Sequence, residues 1–122
     1  LQYKSLEERV IRMEYYLSLM RDMVIDPEAY ALWDYIMSEE LNEEQANRMI
    51  SLLRKHHAQL QLGEAELNKS VESALYLDLK HLLDSFGKPA NEKAAYSVII
   101  RASKLPIFPH YAVLLQNSKK EG

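Results

Sequence analysis

The sequence predicts an all-α fold, a compact bundle of five or six helices, and three observations predict it. Leu6, Val10, Met13, Leu17, Met20 and Val24 recur at four-three-four-three-four spacing, the mark of a first helix with a heptad-like apolar seam. Leu, Ala, Glu, Lys, Arg and Met are plentiful, while three Gly and four Pro in 122 residues leave few breaks for sheet turns. A hydrophobic share of 48% over that length supports one core and not two, so a single domain over 1–122 is expected.

The first helix begins at Ser5, because Ser5-Leu6-Glu7-Glu8 is a capping box in which Ser5 and Glu8 satisfy each other's backbone amides. Its periodicity runs to about Ile25. Asp26-Pro27-Glu28 predicts the second helix, with Asp26 as N-cap and Pro27 in the first turn, where its missing N–H is harmless. That helix carries Tyr30, Trp33, Ile36 and Met37 on one side and is expected to stop near Leu41.

Asn42 followed by Gln45 is a second capping pair, after which Ala46, Met49, Ile50, Leu53, His57 and Leu60 trace one face of a long third helix, ended by Gly63. From about Ser70, Val71, Leu75, Leu79, Leu82 and Phe86 form the stripe of a fourth, closed by Gly87 and Pro89. Asn91 caps a fifth through Ala95, Val98, Ile99 and Ala102, which ends before Pro106. Val98-Ile99-Ile100 has strand propensity, but no second strand is available to pair with it. His110 to Gln116 predicts a last short helix, and residues from about 117 to 122 a disordered, solvated tail. The first helix is expected to pack across the third and fourth.

Composition excludes several function classes. The chain has no cysteine, which removes disulfides, thiolate metal sites and cysteine nucleophiles and suits a cytoplasmic location. No apolar run approaches the roughly 18 residues of a membrane span, so no membrane association is expected. No signal-peptide pattern opens the chain, so the Asn68-Lys69-Ser70 sequon is read as chance. A start at Leu1 rather than Met suggests that the extreme N-terminus has been trimmed or lies outside this sequence.

Charge is unevenly spread around a net −3. Eight acids and no Lys or Arg lie between Asp22 and Asn47, whereas six bases face two acids from Lys88 onward. Nucleic-acid binding is not expected. A helix-turn-helix built on the second and third helices would present Glu43 and Glu44 to phosphates, and Lys93, Arg101 and Lys104 are a sparse basic footprint. No cofactor or metal is expected either. The spaced acids of an EF-hand loop are absent, and Asp78 with His81 is only half of the paired motif of a di-metal bundle. His56 and His57 point to different faces of one helix, with His57 at the edge of the core. No nucleophile with an orienting base stands out, so no catalytic residue is assigned.

Two surfaces are candidates for binding a protein partner or a second copy. In the seam, Val10, Leu17 and Val24 take a positions and Leu6, Met13 and Met20 take d positions, with Arg9 at g and Glu14 at the next e placed to pair across a parallel dimer. Ile11, Tyr16, Leu19 and Met23 widen that apolar face, and this width predicts a helix held chiefly inside the bundle. The preferred contact surface is the acidic, aromatic stretch of Tyr30, Trp33, Asp34, Tyr35, Glu39 and Glu40. Its plainer reading is a solvated face with carboxylates at helix N-termini. The expected role is therefore protein interaction or regulation, with a homodimer as one form it can take. Its alternatives are a nucleic-acid-binding regulator through the basic C-terminal segment and a small-ligand or enzymatic domain using Asp78, His81 or His57.

Arg12-Met13-Glu14-Tyr15-Tyr16-Leu17 resembles the opening segment of the YhaI-like family, small uncharacterised proteins of Gram-positive bacteria. Tyr30-Ala31-Leu32 and Leu41-Asn42-Glu43-Glu44-Gln45-Ala46 resemble that family's next two elements. The likeness spans residues about 9 to 55, and Pro106-Ile107-Phe108-Pro109 departs from the family pattern. It implies an all-helical cytoplasmic fold and brings no activity or functional residue with it.

Overall fold

The computed structural model describes the backbone of residues 5–61 and 68–121 and the side chains of 5–61 and 74–115. Six helices follow one another in chain order: α1 (Leu6–Ile25), α2 (Ala31–Ser38), α3 (Glu43–Gln61), α4 (Asn68–Ser85), α5 (Glu92–Ala102) and α6 (Pro109–Glu121). No strand occurs among the described residues.

Short-range chemistry sets several helix ends. The Ser5 hydroxyl accepts from the Glu8 amide at 3.2 Å. The Asn42 and Gln45 side chains cap each other's backbone N–H at 2.8 and 3.0 Å, the reciprocal arrangement expected of them. Asn91 Oδ1 accepts from the Ala94 amide at 2.8 Å and opens α5. Gly87 closes α4 at φ +73°, with the Lys88 amide bonded to the Leu83 carbonyl and the Gly87 amide to that of Asp84, which is a Schellman ending.

Helix α2 is shorter than expected at both ends. Residues 27–30 form a turn in which Asp26 Oδ1 accepts from the Ala29 amide, and the helix opens only after Tyr30, whose backbone sits at φ −113°, ψ 30°. At the other end the chain turns at Glu40 (φ 58°). The Leu41 amide bonds to the Ile36 carbonyl and the Glu40 amide to that of Met37, a second Schellman ending with a glutamate at the left-handed position. Leu41 thereby drops into the core instead of extending the helix. Gly63, the expected stop of α3, lies outside the described residues. Helix α6 continues to Glu121, through most of the segment expected to be a tail.

Helices α3, α4, α5 and α6 pack in a closed ring, α3 on α4, α4 on α5, α5 on α6 and α6 back on α3. Leu53, Leu79, Leu83, Val98, Ile99, Phe108 and Tyr111 are buried within it. Each buried Leu or Ile contributes on the order of 2 kcal/mol of transfer free energy. Helix α2 docks on α5 through Leu32, Tyr35 and Ile36.

Helix α1 docks on α2, which corrects the expectation that it packs across α3 and α4. Its inner face consists of Arg12, Tyr15, Tyr16, Leu19, Asp22 and Met23, of which Leu19 is buried and the others partly so. Three polar contacts hold it there. The Tyr16 hydroxyl donates to the Leu41 carbonyl at 2.7 Å, Trp33 Nε1 donates to Asp22 Oδ2 at 3.0 Å, and Arg12 reaches the Glu40 carbonyl at 3.4 Å.

Candidate functional site

The apolar seam of α1 points away from the body. Leu6, Val10, Met13, Leu17, Met20 and Val24 are all exposed, from 44% at Met20 to 83% at Val24. The expectation that this helix is buried by its seam inside the bundle is therefore corrected. At about 100° per residue, the seam and the packed face lie roughly 140° apart around the helix axis. The inversion has a physical cause. Tyr15, Tyr16 and Met23 bring bulk, and Tyr16, Arg12 and Asp22 bring polar groups that find partners on α2 and on the turn after it, so this more polar face is the one the fold can satisfy.

The seam has a polar border. Glu7, Glu14 and Arg21 are exposed along its e side and Arg9 along its g side, while the g residues Tyr16 and Met23 lean toward the body. A cavity of about 160 Å³ lies beside α1, lined by Glu8, Ile11, Arg12, Tyr15, Asn42 and Glu43. Burial, reinforced by Glu43, pushes the Tyr15 hydroxyl up to about 12, so it remains a neutral donor at ordinary pH.

The acidic, aromatic stretch is largely engaged within the chain. Tyr35 lies in the core, where burial, with Glu39 nearby, pushes its hydroxyl up to about 12. Trp33 is tied to Asp22 and packs its ring 5.6 Å from that of Tyr30. Arg101 donates to the Ala31 carbonyl at 3.0 Å and to Asp34 Oδ2 at 3.2 Å, with its guanidinium 5.9 Å from the centre of the Tyr35 ring. Lys104 reaches Glu28 at 3.3 Å. Two bases of the basic segment thus meet two acids of the acidic stretch, and part of the charge asymmetry is resolved between α5 and the α2 region. Glu40 is exposed, and Glu39 is half-buried.

The histidines are arranged differently from their sequence reading. His56 and His57 are both buried, because α3 is flanked by α4 on one side and by α6 on another. His56 Nε2 meets Asp78 Oδ2 at 2.8 Å. Toward an ionised carboxylate, which only accepts, Nε2 is the donor of this pair. Its Nδ1 is buried with no hydrogen-bond partner among the described residues. His57 Nε2 accepts the His110 backbone N–H at 3.0 Å, and its ring lies 5.2–5.3 Å from those of Phe108, His110 and Tyr111. The Tyr111 hydroxyl donates to the Leu53 carbonyl. Burial, with His110 adding to it, holds the His57 pKa below the ordinary imidazole value.

Of the three polar residues of the ligand-binding alternative, Asp78 is engaged by His56 and His57 by the His110 backbone N–H, while His81 is exposed. Sequence reasoning missed His56 and the Phe108-Tyr111 contacts. The aromatic pair flanking Pro109 and His110 was the available signal for an anchored sixth helix. Among the described residues, no group of three or more His, Cys, Asp or Glu side chains is placed to hold a metal ion, and no described helix is long and apolar enough to cross a membrane.

No curated protein and no solved structure matches the chain. One family model does, over residues 4–108, and its description is a protein of unknown function, DUF1878.

Proposed function

With the premise that the chain belongs to the DUF1878 family, whose description assigns no activity, we propose that it is a protein-interaction module that assembles with itself through the outward face of α1. One observation carries this reading. A 20-residue helix turns its polar and aromatic face to the body and leaves six large apolar side chains of a heptad seam in water. A contiguous apolar stripe bordered by charges is the anatomy of a contact surface.

The area suits a second copy. At roughly 100 Å² of exposed apolar surface per side chain, six from each of two chains bring on the order of 1,200 Å² together, the lower end of what stable interfaces bury. The cysteine-free sequence and the resemblance of residues about 9 to 55 to the YhaI-like family support a cytoplasmic, bacterial setting for this role.

Light scattering coupled to size exclusion, across a dilution series, tests the proposal. The expected mass is twice the chain's 14.2 kDa, and Leu17→Glu is expected to return it to that of one chain. A mass of one chain for the unaltered protein at the highest concentration would overturn the reading.

A further inference from the structure

The seam also carries information about how the two copies lie. We infer that they pack α1 against α1 in parallel and in register, so that Arg9 of each copy faces Glu14 of the other. This inference rests on the self-association reading and adds orientation to it.

Two features of α1 favour parallel packing. The first is the side-chain shape at the seam. Two of the three a positions, Val10 and Val24, are β-branched, and all three d positions, Leu6, Met13 and Met20, are not. β-Branched residues at a with Leu-like residues at d are the preference of parallel two-stranded packing. The second is charge. In a parallel pair each g residue faces the e residue five positions on in the partner, which places Arg9 beside Glu14 twice, once on each side of the twofold axis. Both residues are exposed and free to turn toward a partner.

The antiparallel alternative matches the same seam less well. Aligning a with d positions sets Val10 opposite Met20 and Leu17 opposite Met13. It brings Glu7 beside Arg21 favourably, but it also sets Glu14 against Glu14 near the axis and Arg9 against Met23. Only the parallel register gives Arg9 and Glu14 opposite partners at once.

The absence of cysteine provides a clean test, since any introduced thiol is the sole one in its chain. A disulfide needs Cα atoms about 4.4–6.8 Å apart. Parallel packing places the two copies of residue 10 in one layer. Antiparallel packing separates them by ten residues, roughly 15 Å along the helix. Val10→Cys alone, under mild oxidation, is therefore expected to give a covalent dimer on a non-reducing gel. Arg9→Glu is expected to weaken the dimer several-fold, and adding Glu14→Arg to restore it.

Cross-linking only when Val10→Cys is mixed with Met20→Cys would establish antiparallel packing and overturn this inference while leaving self-association intact. A dimer by light scattering with no cross-link in either experiment would overturn it equally, by placing the contact off the seam. A single-chain mass would overturn both readings.

Discussion

Trp33 of α2 donates its indole N–H to the carboxylate of Asp22 on α1 at 3.0 Å, joining the two helices across the interface by which α1 is attached. A hydrogen bond to a charged acceptor is worth about 1.5–3 kcal/mol, more than a neutral one, and part of it is lost here to solvent because the pair is only partly buried. Asp22→Ala is expected to lower stability by about 1 kcal/mol in urea unfolding and to shift the Trp33 emission. An unchanged midpoint would mean that this hydrogen bond adds nothing net to the attachment of α1.

Glu40 occupies the left-handed position that ends α2, at φ 58°, in the same hydrogen-bond arrangement in which α4 uses Gly87. Left-handed geometry strains a residue with a Cβ by about 1–2 kcal/mol, and the greater unfolded-state freedom of glycine takes back part of the relief. Glu40→Gly is therefore expected to stabilise the protein by about 0.5–1 kcal/mol, and Gly87→Ala to destabilise it by a similar amount. Space does not limit the second change, since a Cβ at residue 87 would meet nothing within 4 Å. Thermal melts of the two variants should move in opposite directions.

His57 makes stability depend on pH with a definite sign. Burial, then His110, lowers its folded pKa below the unfolded value, so between those two values the unfolded chain binds more protons than the folded one. The stabilisation of the neutral ring is complete above the unfolded pKa of about 6.5 and declines as pH falls through it toward the folded value. Protonating Nε2 would also oppose the His110 N–H it accepts. His57→Gln, which keeps an acceptor, is expected to flatten the fall in urea midpoint between pH 7.5 and 5.5. An equally steep fall in the variant would assign it to other groups.

Arg101 joins α5 to α2 by two hydrogen bonds from one guanidinium nitrogen, with the guanidinium over the Tyr35 ring at cation–π distance. Lysine does not reproduce the planar donor geometry. Arg101→Lys is expected to lower stability by about 1 kcal/mol, whereas Glu28→Gln, at the exposed Lys104 pair, should change it by less than about 0.5 kcal/mol. Parallel denaturation curves compare the two.

Local chemistry explains which parts of the fold were legible in the sequence. Ser5, the Asn42-Gln45 pair, Gly87 and Asn91 act on backbone groups three to five residues away, so their spacing alone identifies helix ends. Ala95, Val98, Ile99 and Ala102 were predicted as one face of α5, and all four are buried. Periodicity states which residues share a face, but not toward what that face points. In α1 it selected the outward stripe, because the partners of Tyr16 and Asp22 lie 25 and 11 residues away, at Leu41 and Trp33. His56 and His57 mislead for a related reason. Successive helical positions cannot share one neighbour, but they can each have one, and α3 has neighbours on two sides.

Within the ring, three of the four pairings join consecutive helices. The fourth, α3 with α6, is made by Leu53 with Tyr111 and by His57 with His110, 58 and 53 residues apart. In kinetic terms this closure carries the largest loop entropy of the four, and it is compensated only once α4 and α5 are already in place. Loop entropy therefore leads one to expect α6 to dock last in refolding, with Phe108 and Tyr111 completing the core.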